Sequence, residues 1–140
     1  MNRPTPAQLE TARRLLVYEG AAGVADERAA MAAGRVYEKL HAHMAPLVSA
    51  AGVGLLFARS VKLTQGEFSC FAESSRLEGS TELRACLQAQ EPAVAMAAAT
   101  ALFGTFVALL TTFIGERLTT QVLRSAWPTL EEMPPTENET

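Results

Sequence analysis

The sequence predicts an all-α, single-domain bundle of four to six helices built around one long apolar helix at about residues 92–127. Three observations carry that expectation. Alanine is abundant and Val/Ile/Thr alternation is nowhere sustained, so no strand period competes with the helical one. Between Glu91 and Glu116 there is no charged residue, no proline follows Pro92 until Pro128, and glycine occurs there only at Gly104 and Gly115. The 140 residues are also enough to bury one real core without staples.

The elements follow in order. Thr5, Pro6 and Gln8 form a T-x-x-Q start signal, with the proline at a tolerated first helical position. Leu9, Ala12, Leu15 and Leu16 then make a short apolar stripe that ends at Gly20. After a Gly20–Gly23 turn, Asp26 and Glu27 favour a second start. Ala33, Val36, Leu40, Met44, Leu47, Ala51 and Leu55 repeat at three- and four-residue steps, a coiled-coil-like seam. Pro46 interrupts it, and the expected pieces run to about Ala45, then to Ala51, then from Val53 to about Leu63. Periodicity fails from Thr64 to Ser80, which reads as a loop pinned by Phe68 and Phe71. Ser80 or Thr81 can cap a short helix through Leu83, Cys86 and Leu87, and Pro92 opens the central one. The helical domain spans 1–127, and 128–140 reads as a disordered acidic tail.

At 100° per residue the central helix sorts its side chains by size. Phe103, Phe106, Leu110 and Phe113 lie on a bulky arc that suits a core or an apolar ligand cavity. Ala101, Gly104, Thr105, Ala108, Thr112 and Gly115 lie on a small-residue arc that admits close approach and marks a self-association face. A continuous helix over 92–127 would be roughly 54 Å long, whereas a compact domain of this size is nearer roughly 37 Å across. The helix therefore either bends near Gly104 or Gly115 or overruns the monomer, and the overrun points to a homodimer. At its exit, Arg117, Gln121 and Arg124 replace the apolar residues on the arc of Phe103, a polar stripe suited to docking an acidic partner.

Charge excludes some functions. The four glutamates of 131–139 carry −4 of a net −3, leaving the preceding body at +1, too little for a nucleic-acid face. A helix-turn-helix reading of 46–63, with Gly52 in the turn, offers only Arg59 and Lys62 and no Asn or Gln to read bases. Cys70 and Cys86 lack a CxxC spacing and read as reduced thiols in a cytoplasmic protein. His41 and His43 point to different sides of a helix and do not clamp one metal. The His41-x4-Pro46-Leu47 spacing resembles the phosphoacceptor segment of sensor histidine kinases, with His41 at the position of the phosphorylated histidine. That resemblance implies a helical hairpin that dimerises into a four-helix bundle. Ala42 and Ala45 stand where that family carries an acidic and a polar residue.

Residues 92–115 are long enough to span a bilayer. However, alanine and threonine supply much of their apolarity, the flanking arginines set no orientation, and the upstream stripes need this helix as their partner. No catalytic trio, phosphate loop or metal cluster is evident, so neither an enzyme nor a cofactor is expected. The expectation is a non-enzymatic helical interaction module, regulatory or adaptor in kind, with a small-molecule sensor bundle as the alternative.

Overall fold

The computed structural model describes residues 4–20, 28–68, 71 and 80–128. Its helices are α1 (Pro6–Gly20), α2 (Arg28–Thr64), α3 (Ser80–Gln88), α4 (Pro92–Ile114) and α5 (Glu116–Ala126), and the described residues contain no strand. The all-α bundle is thus observed. The turn at 21–23, the residues Asp26 and Glu27, most of the 64–80 loop with Cys70, and the tail from 129 lie outside the described residues.

α1 begins as its start signal dictates. The Thr5 amide donates to Gln8 Oε1 at 2.9 Å, and the Gln8 amide donates to Thr5 Oγ1 at 3.1 Å, closing a reciprocal capping box. Ala12, Leu15 and Leu16 are fully buried, while Glu10 pairs outside with Arg13 and Arg14.

α2 departs from the expected seam. Ala33, Val36, Leu40 and Met44 are buried, but Leu47 and Leu55 are 51% and 73% exposed, and Ala51 is exposed with them. The reason is at Ser49, whose φ of 74° and ψ of 158° break the helix. Ser49 Oγ accepts the Gly52 amide at 3.0 Å and so caps a fresh start. The pieces are therefore 28–48 and 50–64, rather than breaks at Ala45 and Ala51. The buried set of the second piece is Val53, Phe57, Ser60 and Thr64, again at three- and four-residue steps but in a new phase. The rings of Tyr37 and Phe57 meet edge-on at 4.7 Å. On a straight helix these residues would be about 30 Å apart. The second arm therefore folds back along the first.

α4 sits at the centre and touches α1, α2, α3 and α5. Its buried run extends to Leu110 and includes members of both arcs. It does not continue to 127. Gly115, with φ at 94°, ends it, and α5 leaves in a new direction. A positive φ of this kind suits glycine because it has no Cβ to clash. Gly104, the other candidate bend, remains helical. α5 buries Thr119, Val122 and Ala126, and Trp127 follows, 1% exposed. α3 buries Leu83 and Leu87. It lays the Arg84 stem across Gly34, where a Cβ would overlap it.

Candidate functional site

The small-residue arc is used inside the chain. A Cβ on Gly104 would lie 2.8 Å from Leu9 Cδ2 and 3.5 Å from the Leu9 Cα, so α1 makes the close approach that glycine permits. Gly104, Thr105 and Ala108 are buried, Ala101 and Gly115 are half-buried, and only Thr112 is exposed. As folded, this face is covered by α1 and is not available to a second molecule at Gly104. The bulky arc likewise divides: Phe103, Phe106 and Leu110 are packed in the core, while Phe113 is 65% exposed in the last turn before Gly115, past the end of the buried run.

The described cavities lie elsewhere. One, about 320 Å³, sits where the start of α1 meets α4 and α5, and it is lined by Thr5, Ala7, Gln8, Thr11, Val107, Thr111, Glu116, Thr119, Thr120 and Leu123. Its threonines and single carboxylate stand beside Ala7, Val107 and Leu123, so the lining is mixed, unlike the apolar cavity expected around Phe103. Several of those groups are already satisfied: Thr11 Oγ1 donates to the Ala7 carbonyl and Thr119 Oγ1 to the Gly115 carbonyl. Arg117, Gln121 and Arg124 are exposed together on α5 and line a shallow depression of about 480 Å³ with Glu116 and Thr120. Glu116 adds a carboxylate beside the two guanidinium groups of this polar stripe.

Among the described residues, no group of three or more His, Cys, Asp and Glu side chains could hold a metal ion. His43 Nδ1 lies 3.0 Å from the Lys39 carbonyl, and the His41 ring lies 6.0 Å from that of Tyr37, so the two imidazoles have different surroundings. Tyr37 titrates above the ordinary tyrosine range, chiefly because it is buried and secondarily because the Glu82 carboxylate is near.

One polar cluster escaped sequence reasoning. Glu19, 8% exposed at the end of α1, accepts the Trp127 Nε1–H at 2.6 Å and pairs with Lys39 Nζ at 2.7 Å. The same ammonium lies 5.4 Å from the ring centres of both Tyr18 and Trp127. Arg35 adds a hydrogen bond to the Glu19 carbonyl at 3.0 Å. The Trp127 N–H and the Lys39 ammonium offset the desolvation of the buried carboxylate. The cluster ties the ends of α1 and α5 to the middle of the first α2 arm. Glu19 and Trp127 are 108 positions apart along the chain, so no local motif announces the cluster.

The remaining feature is the outer face of the second α2 arm. Because Ser49 reset the phase, Ala50, Ala51, Gly54, Leu55 and Ala58 face outward, followed by Arg59, Lys62 and Leu63. Leu47, on the arm before the corner, is 51% exposed. Only 28% of the most apolar stretch of α2 is buried, against 67% for α4, although both helices are long and apolar enough to cross a membrane. The electrostatics are one-sided. No acidic residue occurs between Glu38 and Glu67, while Lys39, Arg59 and Lys62 fall within that interval. Lys39 is engaged by Glu19, which leaves Arg59 and Lys62 as the exposed cations of this face, without an ion pair among the described residues. This charge run was legible in the sequence. The exposure of Leu55 was not, because it depends on one backbone angle.

Comparison with protein-family models, with curated proteins and with solved structures gave no match.

Proposed function

We propose that this chain is a non-enzymatic helical module that acts by docking, through the outer face of the second α2 arm. The observation that supports the reading is Leu55, 73% exposed on a helix whose opposite face is core. A single exposed leucine needs no explanation, but one set among the exposed Ala51, Gly54 and Ala58, at helical neighbour spacings, forms an apolar strip along the arm. The alternative of a ligand-sensing bundle has less support, since Phe103, Phe106 and Leu110 are packed against neighbours rather than lining the cavities described.

The test is footprinting at position 55. A Leu55→Cys variant is labelled with a membrane-permeant maleimide in purified form and in intact cells, with Thr81→Cys on exposed α3 as reference, and each site is read by mass spectrometry. Engagement of the face slows labelling at 55 in cells relative to the reference, whatever the occupant. Equal relative rates in both settings would remove the docking reading.

A further inference from the structure

We propose that the occupant of this face is the surface of an anionic membrane, on which the second α2 arm lies with Leu55 and Leu63 dipped into the headgroup boundary and Arg59 and Lys62 on lipid phosphates. The inference rests on the docking reading above and names the partner. Charge complementarity is its first support. The interval between Glu38 and Glu67 holds no carboxylate, although the chain as a whole is net negative at −3. Arg59 and Lys62 thus present positive charge locally, where it attracts an anionic leaflet.

Shape and area separate a bilayer from a second copy of the chain. The arm has fifteen residues, 50–64, and so is about 22 Å long. With a helix diameter of about 10 Å, its outer face covers far less than the roughly 800 Å² per partner that a stable protein interface requires. It is also convex, and its outward side chains include no Trp, Tyr or Phe to serve as an anchor in a partner's pocket. A lipid surface has neither requirement, because it moulds to a convex helix and accepts shallow apolar residues beside snorkelling cations. Burial elsewhere favours surface attachment over a span, since α4 spends most of its apolar surface inside the bundle.

The experiment is co-sedimentation of the full chain with vesicles at on the order of 1 mM lipid, a concentration suited to weak reversible attachment. One set is phosphatidylcholine alone, and the other contains about one quarter phosphatidylserine. The expected result is binding to the anionic set, with little to the neutral one, reversed by high salt. Arg59→Ala with Lys62→Ala weakens it about 30-fold, and Leu55→Glu weakens it at least about tenfold. These positions are exposed, so the variants keep the wild-type circular dichroism. Absence of binding to either set, or binding unchanged in the variants, overturns the proposal. So does binding that resists alkaline carbonate and ignores Leu55→Glu, which indicates insertion of α4 instead. If Leu55→Glu abolishes a concentration-dependent dimer in vesicle-free solution, with no lipid binding, a second copy is the occupant. In that case the docking reading survives and the lipid proposal does not.

Discussion

At the residue scale, Glu19 holds the most interdependent contacts. Its carboxylate is 8% exposed, and it accepts from Trp127 while it pairs with Lys39. Glu19→Ala leaves the indole N–H without its acceptor and the ammonium without its counter-ion. The indole is buried, so its loss counts in full, whereas Lys39 is 39% exposed and recovers much of its hydration. A loss of about 2 kcal/mol is expected in urea unfolding. Trp127 is the chain's one tryptophan, so its fluorescence reports the event directly, with a red shift in the native variant. Tyr37 gives a pH prediction. Its folded titration is raised above that of the unfolded chain by burial and by Glu82. The unfolded state therefore gives up its phenolic proton first. The contribution is fully present below the ordinary tyrosine range, about pH 10, and is lost as pH rises through the folded value. Tyr37→Phe is expected to flatten the alkaline limb of the stability profile while changing neutral stability little, as measured by thermal melts across alkaline buffers.

At the scale of elements, the close approach of α1 to α4 depends on Gly104. Gly104→Leu drives a side chain into Leu9 and Pro4, whose atoms already lie 2.8 and 3.4 Å from where a Cβ would sit. The variant is expected to lose about 3 kcal/mol, and hydrogen exchange over 6–20 is expected to rise more than exchange in α3. Mass by light scattering should not change, because the glycine faces the chain's own helix. A shift in mass without destabilisation would instead assign the arc to self-association. The corner at Ser49 works differently. It replaces the continuous seam by two arms, and the Ser49 cap stabilises the start of the second. Strain of about 1–3 kcal/mol is typical of such backbone, and the contact between Tyr37 and Phe57 helps hold the fold that retains it.

At the scale of the whole molecule, the two helices long enough to cross a bilayer have opposite fates. α4 is surrounded by α1, α2, α3 and α5, and 67% of its most apolar stretch is buried. α2 turns back at Ser49, so neither arm presents an uninterrupted span. The chain in cell fractions is accordingly expected to leave membranes in high salt or alkaline carbonate, without detergent. Retention after carbonate would show that a helix inserts.

What the sequence determined by itself is what depends on neighbours along the chain. The capping box at Thr5 and Gln8, the helical stripe of α1, the proline start of α4 and the burial of Phe103, Phe106 and Leu110 were all legible, because helix period and capping are local properties. The acid-free interval from 39 to 66 was legible too, as a matter of composition. Only the tertiary structure decided three other matters. Gly115 rather than Gly104 became the bend, since both tolerate it and packing against Leu9 keeps Gly104 helical. Ala51 and Leu55 turned outward, because the single φ at Ser49 rotates everything after it, and Leu47 was left exposed near the end of the arm before it. Glu19, Lys39 and Trp127 came together only because three helices cross there, and periodicity carries no information about which distant side chains will share a buried charge.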